Sequence, residues 1–284
     1  MSVNDELGKR MKEYYEQIPK TRLMRRTPVA IRLDGKTFHT FTKGFKKPFD
    51  EVMIKSMQET MKYLCEHIQG CVLGYTQSDE ITLILVDYKN LDSCAWFDYE
   101  VQKLCSVSAS MATVAFNKFF TVNIKKEIAE YRTSLVPQSI KAQERIKKYC
   151  NTLKQASEKG AMFDARVFNI PKEEVTNLIY WRQLDATRNS IQMVGQANFS
   201  HKELQNKSCN DIQNMLLTEK DINWNNFPTT MKRGSCCIKN RGVCEPYDNT
   251  VLAPGLPIGE WFIDNEIPIF KDEGREYIEE LINF

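Results

Sequence analysis

Two short stretches of the chain place carboxylates where a strand should turn. "IRLDGKTFHTF", residues 31–41, is an apolar run that ends in Asp34-Gly35 and passes into a polar, aromatic segment. "GYTQSDEITLILV", residues 74–86, sets Ser78, Asp79 and Glu80 at the join of two apolar runs, with Asp79 45 residues beyond Asp34. Two carboxylates held within a few ångströms of each other do not both stay ionised without a cation: they share a proton or they bind a divalent metal. Magnesium takes a few carboxylate oxygens, keeps water, and accepts phosphate oxygens for the rest of its octahedron. Gly35 has no Cβ, so a triphosphate can approach its backbone, and successive amides of "GKTFH" would form an anion-holding nest to which Lys36 and His39 add charge or hydrogen bonds. Two metal ions about 3.5 to 4 Å apart would activate an attacking hydroxyl and stabilise a leaving pyrophosphate, the two-metal scheme for phosphoryl transfer from a nucleoside triphosphate. The structural alternative is plainer: Asp34 caps a loop and Asp79 closes a hairpin through an Asx-turn.

Such acids need strand ends to hold them. "RTPVAIRLD" reads as a strand entered through Pro28, after a short amphipathic helix over residues 5–17. From Asp50, a good N-cap, Met53, Met57, Met61, Leu64 and Ile68 recur at helical spacing and predict a helix ending near Gly70, its methionines packing a core. "CVLGY" and "ITLILV" predict a hairpin with the acidic pair at or beside its tip. Residues 98–120 read as a second long helix whose small residues let it lie against a sheet, residues 125–150 as a basic helical segment, and "FDARVFNI" as another strand. The order β-α-β-β-α-β is ferredoxin-like, an α+β fold with helices on one face of an antiparallel sheet, as in polymerase palms and nucleotide cyclases. In that order the first strand and the hairpin are neighbours, so Asp34 and Asp79 converge. Residues 171–220 look helical, with Pro171 at the first turn and acids behind it. A strand is predicted at 234–239 and a final helix near 272–282. The expected organisation is a palm-like catalytic core with its N-terminal helix over 1–170, and a helical and β part over 171–284 packed on the same domain.

Composition narrows the class. With 284 residues and 42% hydrophobic content the chain can build a large core, as one domain or two. No run of about 18 apolar residues spans a bilayer, and "MSVNDELGKRMKEYYEQ" is charged throughout, unlike a secretory signal; the expected address is the cytoplasm, with no membrane partner. Nine cysteines (Cys65, Cys71, Cys94, Cys105, Cys150, Cys209, Cys236, Cys237, Cys244) without a C-x-x-C knuckle favour reduced, mostly buried thiols. Three histidines make a His-rich zinc site a poor fit. Net charge is only +2, but residues 1–50 hold twelve Lys/Arg against six Asp/Glu, and residues 121–160 nine against four. That concentration fits phosphate-binding surfaces, or else Lys-rich solvated helix faces.

Together, "RLDGKTFHTF", "GFKKPFDE" and "GYTQSDE", with the later "WRQLDATRNSI" and "KRGSCCIK", resemble the signature of the tRNA-histidine guanylyltransferase family and its 3′-to-5′ polymerase relatives, from about Arg10 to Lys239. The resemblance implies a palm running in reverse: the 3′-hydroxyl of an incoming nucleotide attacks an activated 5′ end of a tRNA. It implies two Mg2+ ions on Asp34, Gly35 and Asp79, a triphosphate along Asp34, Gly35, Lys36, Thr37, Phe38 and His39 with Ser78 beside it, and Glu80 supporting the second ligand or tuning the metal. By the same carry-over Lys47 faces phosphates and Asn189 matches the asparagine of the second-half motif. Arg182, Lys232 and Arg233 suit a second triphosphate or the tRNA end; the alternatives are a structural ion pair for Arg182 and a solvated strand edge for the other two. GTP and other nucleoside triphosphates are the implied substrates, with ATP activating a monophosphorylated 5′ end, and a homotetramer the implied assembly.

One departure bears on the reaction. Members dedicated to histidine tRNA carry a His-Ile-Asn-Asn-like string after the W-R-Q-x-D pattern, where this chain has Thr187-Arg188-Asn189-Ser190. This resembles the guanylyltransferase-like branch, whose members repair truncated tRNA 5′ ends by template-directed addition. The remaining readings are addition of a single 5′ guanylate to histidine tRNA, a nucleotide cyclase, for which the chain lacks a G-G-D-E-F string, and an inactive palm that binds RNA.

Overall fold

The computed structural model describes residues 3–133, 139–240 and 257–283. Helix α1 (Val3–Met11) continues as a wider π-type turn over Lys12–Glu16 and leads to β1 (Val29–Gly35), the short α2 (Phe38–Phe41), α3 (Glu51–His67) and the hairpin of β2 (Cys71–Gln77) and β3 (Glu80–Leu85). Then come α4 (Val101–Thr133), α5 (Ile140–Lys159), β4 (Phe163–Asn169), α6 (Val175–Asn198), α7 (His201–Leu204), α8 (Cys209–Lys220), α9 (Thr229–Arg233), β5 (Ser235–Lys239), β6 (Trp261–Asp264) and α10 (Glu276–Ile282). The strands form one antiparallel six-stranded sheet in the order β4-β1-β3-β2-β5-β6. Its first four strands follow the βαββαβ pattern, because the connections through α3 and α4 each step over one strand.

Alternation along β1 decides what lies on each face. Val29, Ile31 and Leu33 point to a core shared with α3 and α4, which holds the methionine stripe of α3 and a cluster of Phe38, Phe41, Phe116, Phe120 and Phe163. Ala30, together with Leu73, Tyr75 and Ile84, faces α6 and α10. Helices therefore cover both faces, not one: the chain beyond residue 170 contributes two strands to the sheet and a second layer of helices, and two buried faces explain the near-continuous apolar reading of β3.

Asp50 caps α3, its carboxylate accepting from the Met53 amide at 3.1 Å. The second long helix starts at Val101 and runs past the expected end at 120 to Thr133. β6 is the strand the sequence did not signal, because four residues, "WFID", are too few to show a period. The described cysteines are all free thiols, and burial pushes those of Cys65 and Cys236 well up from the ordinary range; Cys244 lies outside the described residues. No described helix is long and apolar enough to cross a membrane.

Candidate active site

Strand register sets the site. Asp34 stands opposite Glu80 on β3 and opposite Asp164 on β4, so three acids run across adjacent strands; two residues back, on the same face, Arg166, Arg32 and Thr82 form the next row. Like charges directly opposite destabilise a sheet unless they are countered. The arginine row counters them: Arg32 Nη2 donates to Glu80 Oε1 at 3.1 Å, and Arg166 Nη2 lies 4.0 Å from Asp34 Oδ2 and 3.7 Å from Asp164 Oδ1. α6 adds Arg182, whose side chain is 6% exposed and pairs with Glu80 Oε2 at 3.5 Å and with Asp185 Oδ2 at 2.7 Å, its guanidinium 4.1 Å from the centre of the Trp181 ring.

Asp79 is treated differently. It forms the two-residue hairpin tip with Ser78, which adopts a left-handed φ of 50°. The Asp79 carbonyl accepts from the Gly35 amide at 3.1 Å, which ties the tip to the end of β1. Ser78 Oγ donates to Asp79 Oδ1 at 3.0 Å. Burial pushes the Asp79 carboxyl above its ordinary value; the Ser78 hydrogen bond opposes the shift, and the charges of Asp34 and Glu80 add to it. Among the described residues no Lys, Arg or His forms an ion pair with Asp79.

In front of the tip opens a cavity of about 500 Å³. It brings together Gly35, Thr37, Phe38 and His39 after β1, Lys47 in the loop before α3, Ser78 and Asp79 at the tip, Asn189 on α6, and Lys232 and Arg233 on α9. Asp34, Lys36, Glu80 and Arg182 do not line it. Asp34 adjoins it through Gly35. Glu80 and Arg182 belong to the ion-pair cluster on the α6 side of the sheet, the structural alternative raised for Arg182.

Three details of the loop differ from expectation. The space a Cβ would fill at Gly35 is taken by the Phe38 ring, whose nearest atom would lie 2.2 Å away, so the glycine admits an aromatic ring. The Phe38 side chain is correspondingly buried in the aromatic core while Phe38 still lines the inner end of the cavity. The five-amide nest is smaller than "GKTFH" suggests: the Gly35 amide is bonded to Asp79, and the Lys36 amide donates to the Met162 carbonyl at 2.9 Å. Thr37, at φ 54°, then turns the chain into α2, and the amides of Thr37, Phe38 and His39 have no backbone acceptor among the described residues.

On the opposite wall Lys232 Nζ donates to the Asn225 carbonyl at 2.6 Å, and burial followed by the neighbouring Arg233 lowers its pKa. The Nε of Arg233 is buried without a hydrogen-bond partner, an arrangement that leaves donor capacity at the cavity wall. Asn189 Nδ2 donates to Asp185 Oδ2 at 3.3 Å. Phe49, Met53, Met193 and Met231 give the same cavity an apolar side. Sequence reasoning missed Gln77, Arg166, Asp185 and this apolar side. Arg166 was findable, since "DAR" puts it on the face of β4 that carries Asp164. Asp185 was findable from its i,i+3 and i,i+4 spacing to Arg182 and Asn189. The methionines carry no such signal.

As a metal centre the donor set is modest. Among the described residues no three His, Cys, Asp or Glu side chains converge at ligand distance. Asp34 and Asp79 with the Gly35 carbonyl would supply a few oxygens and leave the rest to water and phosphate, which suits magnesium and not zinc. The raised, cation-free Asp79 carboxyl fits such an ion.

A family model described as Thg1: tRNAHis guanylyltransferase matches residues 8–171. The tRNA(His) guanylyltransferase of Saccharomyces cerevisiae is 27% identical over 221 residues, 73% of this chain and 80% of its own length. An uncharacterized protein of Acanthamoeba polyphaga mimivirus is 27% identical over 277 residues, 90% of this chain and 85% of its own. Among solved structures, a bacterial tRNA(His) guanylyltransferase (Thg1)-like protein in complex with ATP is 38% identical with a TM-score of 0.76, covering 98% of this chain and 100% of that one. A bacterial Thg1-like protein in complex with GTP is 36% identical with a TM-score of 0.71, covering 99% and 100%. The chain belongs to the tRNA(His) guanylyltransferase family. It is accordingly an enzyme, a nucleotidyltransferase of the tRNA guanylyltransferase-like kind.

Proposed function

We propose that the protein is a magnesium-dependent nucleotidyltransferase that adds nucleotides to the 5′ end of tRNA in the 3′-to-5′ direction, templated by the opposite strand of the acceptor stem. The observation that carries the reading is the pairing within one cavity of an acidic tip lacking an internal cation with a wall of Lys47, Lys232 and Arg233. A nucleoside triphosphate complements both: phosphate oxygens meet the cations and the free amides of Thr37, Phe38 and His39, while the acids hold what neutralises the reacting end.

Asp34, Asp79 and the Gly35 carbonyl would hold two Mg2+ ions, which when bound acidify an attacking hydroxyl and neutralise a leaving pyrophosphate. The chain does the rest. Ser78 fixes the Asp79 carboxylate, the Gly35 to Asp79 hydrogen bond fixes the separation of the two strand ends, and Glu80, clamped by Arg32 and Arg182, keeps the root of the hairpin from shifting. Phe49, Met193 and Met231 offer an apolar surface for a base. The likeness to ATP and GTP complexes of Thg1-like proteins supports GTP and other triphosphates as nucleotides added and ATP as activator of a monophosphorylated end.

Template-directed repair is favoured over single-guanylate addition by the segment that departs from the histidine-specific pattern. Its Asn189 and Ser190 stand in the cavity wall, and Thr187 and Arg188 are turned to partners on α6, the Gln183 carbonyl and Asp185. The test is to incubate the protein with magnesium, triphosphates and a 5′-triphosphorylated tRNA lacking its first nucleotide. The expected product is one residue longer and complementary to the opposing base; no extension across several such tRNAs sinks the proposal. A guanylate added to full-length histidine tRNA in preference to the truncated substrates would select the other reading.

A further inference from the structure

Part of the positive charge gathered in residues 121–160 lines up as one stripe in the fold. α5 carries six Lys/Arg against two Asp/Glu. Its buried side is Tyr149, Leu153 and Ala156. At 3.6 residues per turn, Lys141, Arg145, Lys148 and Lys159 fall on a single face beside that buried side. All four are exposed, and none has an ion-pair partner among the described residues.

On α3, by contrast, two lysines are paired within the helix. Each sits one turn from a glutamate, Lys55 with Glu51 at 3.6 Å and Lys62 with Glu66 at 3.8 Å. On α5 Glu144 precedes Lys148 by one turn yet lies beyond ion-pair distance.

The stripe also has a direction. Thr152 lies on the same face, and its methyl abuts Gly44, where a Cβ would lie 3.1 Å away. Gly44 belongs to the loop that walls the cavity. α4 and α5 hold that loop firmly: Tyr149 donates to Asp50 Oδ2 at 2.8 Å, and Lys46 Nζ donates to Glu127 on α4 at 2.6 Å, 4.8 Å from the Tyr149 ring. Lys46 is thereby engaged inside the fold, while the exposed Lys43 and Lys47 continue the line of unpaired cations to the cavity.

We infer that Lys141, Arg145 and Lys148, leading through Lys43 to Lys47, form a docking track for an RNA backbone whose 5′ end enters the cavity. The inference rests on the nucleotidyltransferase reading and adds to it the surface that grips the polymer. From Lys141 to Thr152, where the helix meets Gly44, the stripe spans about 17 Å at 1.5 Å per residue, enough for several phosphates. Cations on phosphates set register without reading bases, as suits an enzyme that acts on an end.

The probe is a 5′-truncated tRNA transcript, with its Kd measured from about 50 to 200 mM salt. The variant Lys141→Gln/Arg145→Gln/Lys148→Gln should bind it at least about tenfold more weakly, with a log–log salt slope shallower by about 2 to 3. Triphosphate binding should be unchanged, and Lys147→Gln/Lys154→Gln, on the other flank of α5, should alter neither. A triple variant that binds like the parent, with the same slope, overturns the track while leaving the proposed reaction standing. A parent protein that does not bind the transcript overturns both. Loss of transcript affinity equal in the two variants also overturns it, since the effect would then be net charge and not a track.

Discussion

Two clusters of acids and cations lie a few residues apart, and the chain treats them in opposite ways. Around Glu80 each carboxylate has an arginine within ion-pair distance, from Arg32, Arg182, Arg188 or Arg166, and the two that clamp Glu80, Arg32 and Arg182, lie against the Trp181 ring. Around Asp79 there is a hydroxyl, a neighbouring carboxylate and burial, but no cation from the described chain. Charges matched within the fold hold a structure; charges left unmatched at a cavity are what a substrate and its ions come to satisfy. Asp79 and Glu80 are adjacent, so sequence proximity alone does not tell the two kinds apart.

The comparison breaks first at Asp79. Asp79→Asn should reduce nucleotide addition by about a thousandfold or more, since it removes a proposed metal ligand, yet it should raise the melting temperature of the metal-free protein. The raised carboxyl means that, from the ordinary value of 3.8 upward, the folded state holds more protons than the unfolded chain. Stability of the metal-free parent therefore falls as pH rises through the folded pKa, and the Asn variant should flatten that fall. Magnesium should restore melting temperature to the parent and not to the variant. If Asp79→Asn melts lower than the parent, Asp79 belongs with Glu80 as a structural acid.

Arg182→Ala tests the matched cluster. It removes the buried cation shared by Glu80 and Asp185, leaving them Arg32 and Arg188, and should cost about 1.5–3 kcal/mol by chemical denaturation, with activity lost only as folded protein is lost. Gly35→Ala comes next: the new methyl meets the Phe38 ring, and overpacking of this kind costs about 1–3 kcal/mol. Pairing it with Phe38→Leu should recover part of that stability. The smallest effect is expected at Lys47→Gln, an exposed cation at the cavity, where KM for the triphosphate should rise a few fold with little change in kcat.

The sheet was legible because β1, β2, β3 and β4 are bounded by turn signals and the order of elements admits few topologies. Asp34 and Asp79 could be paired from sequence for the same reason: neighbouring antiparallel strands bring their ends together. What lies across the sheet was not legible. The second layer comes from α6 and α10, and no periodicity says which face of a sheet a distant helix will cover. Gly35 was read as room for a ligand and proves to be room for Phe38, because a missing Cβ announces close approach without naming what approaches. Arg182 lies one turn from Asp185 in the sequence, yet only the fold sets it beside Glu80.

The hairpin between β2 and β3 has two residues, and Glu80 resumes the strand directly after it. Side chains alternate, so inserting one residue there would send Glu80 through the sheet, from its arginines into phenylalanines. Length at this turn is therefore under a parity constraint. The loop can grow only by pairs of residues or with a compensating bulge. A reader comparing distant relatives should find spacing here more durable than identity.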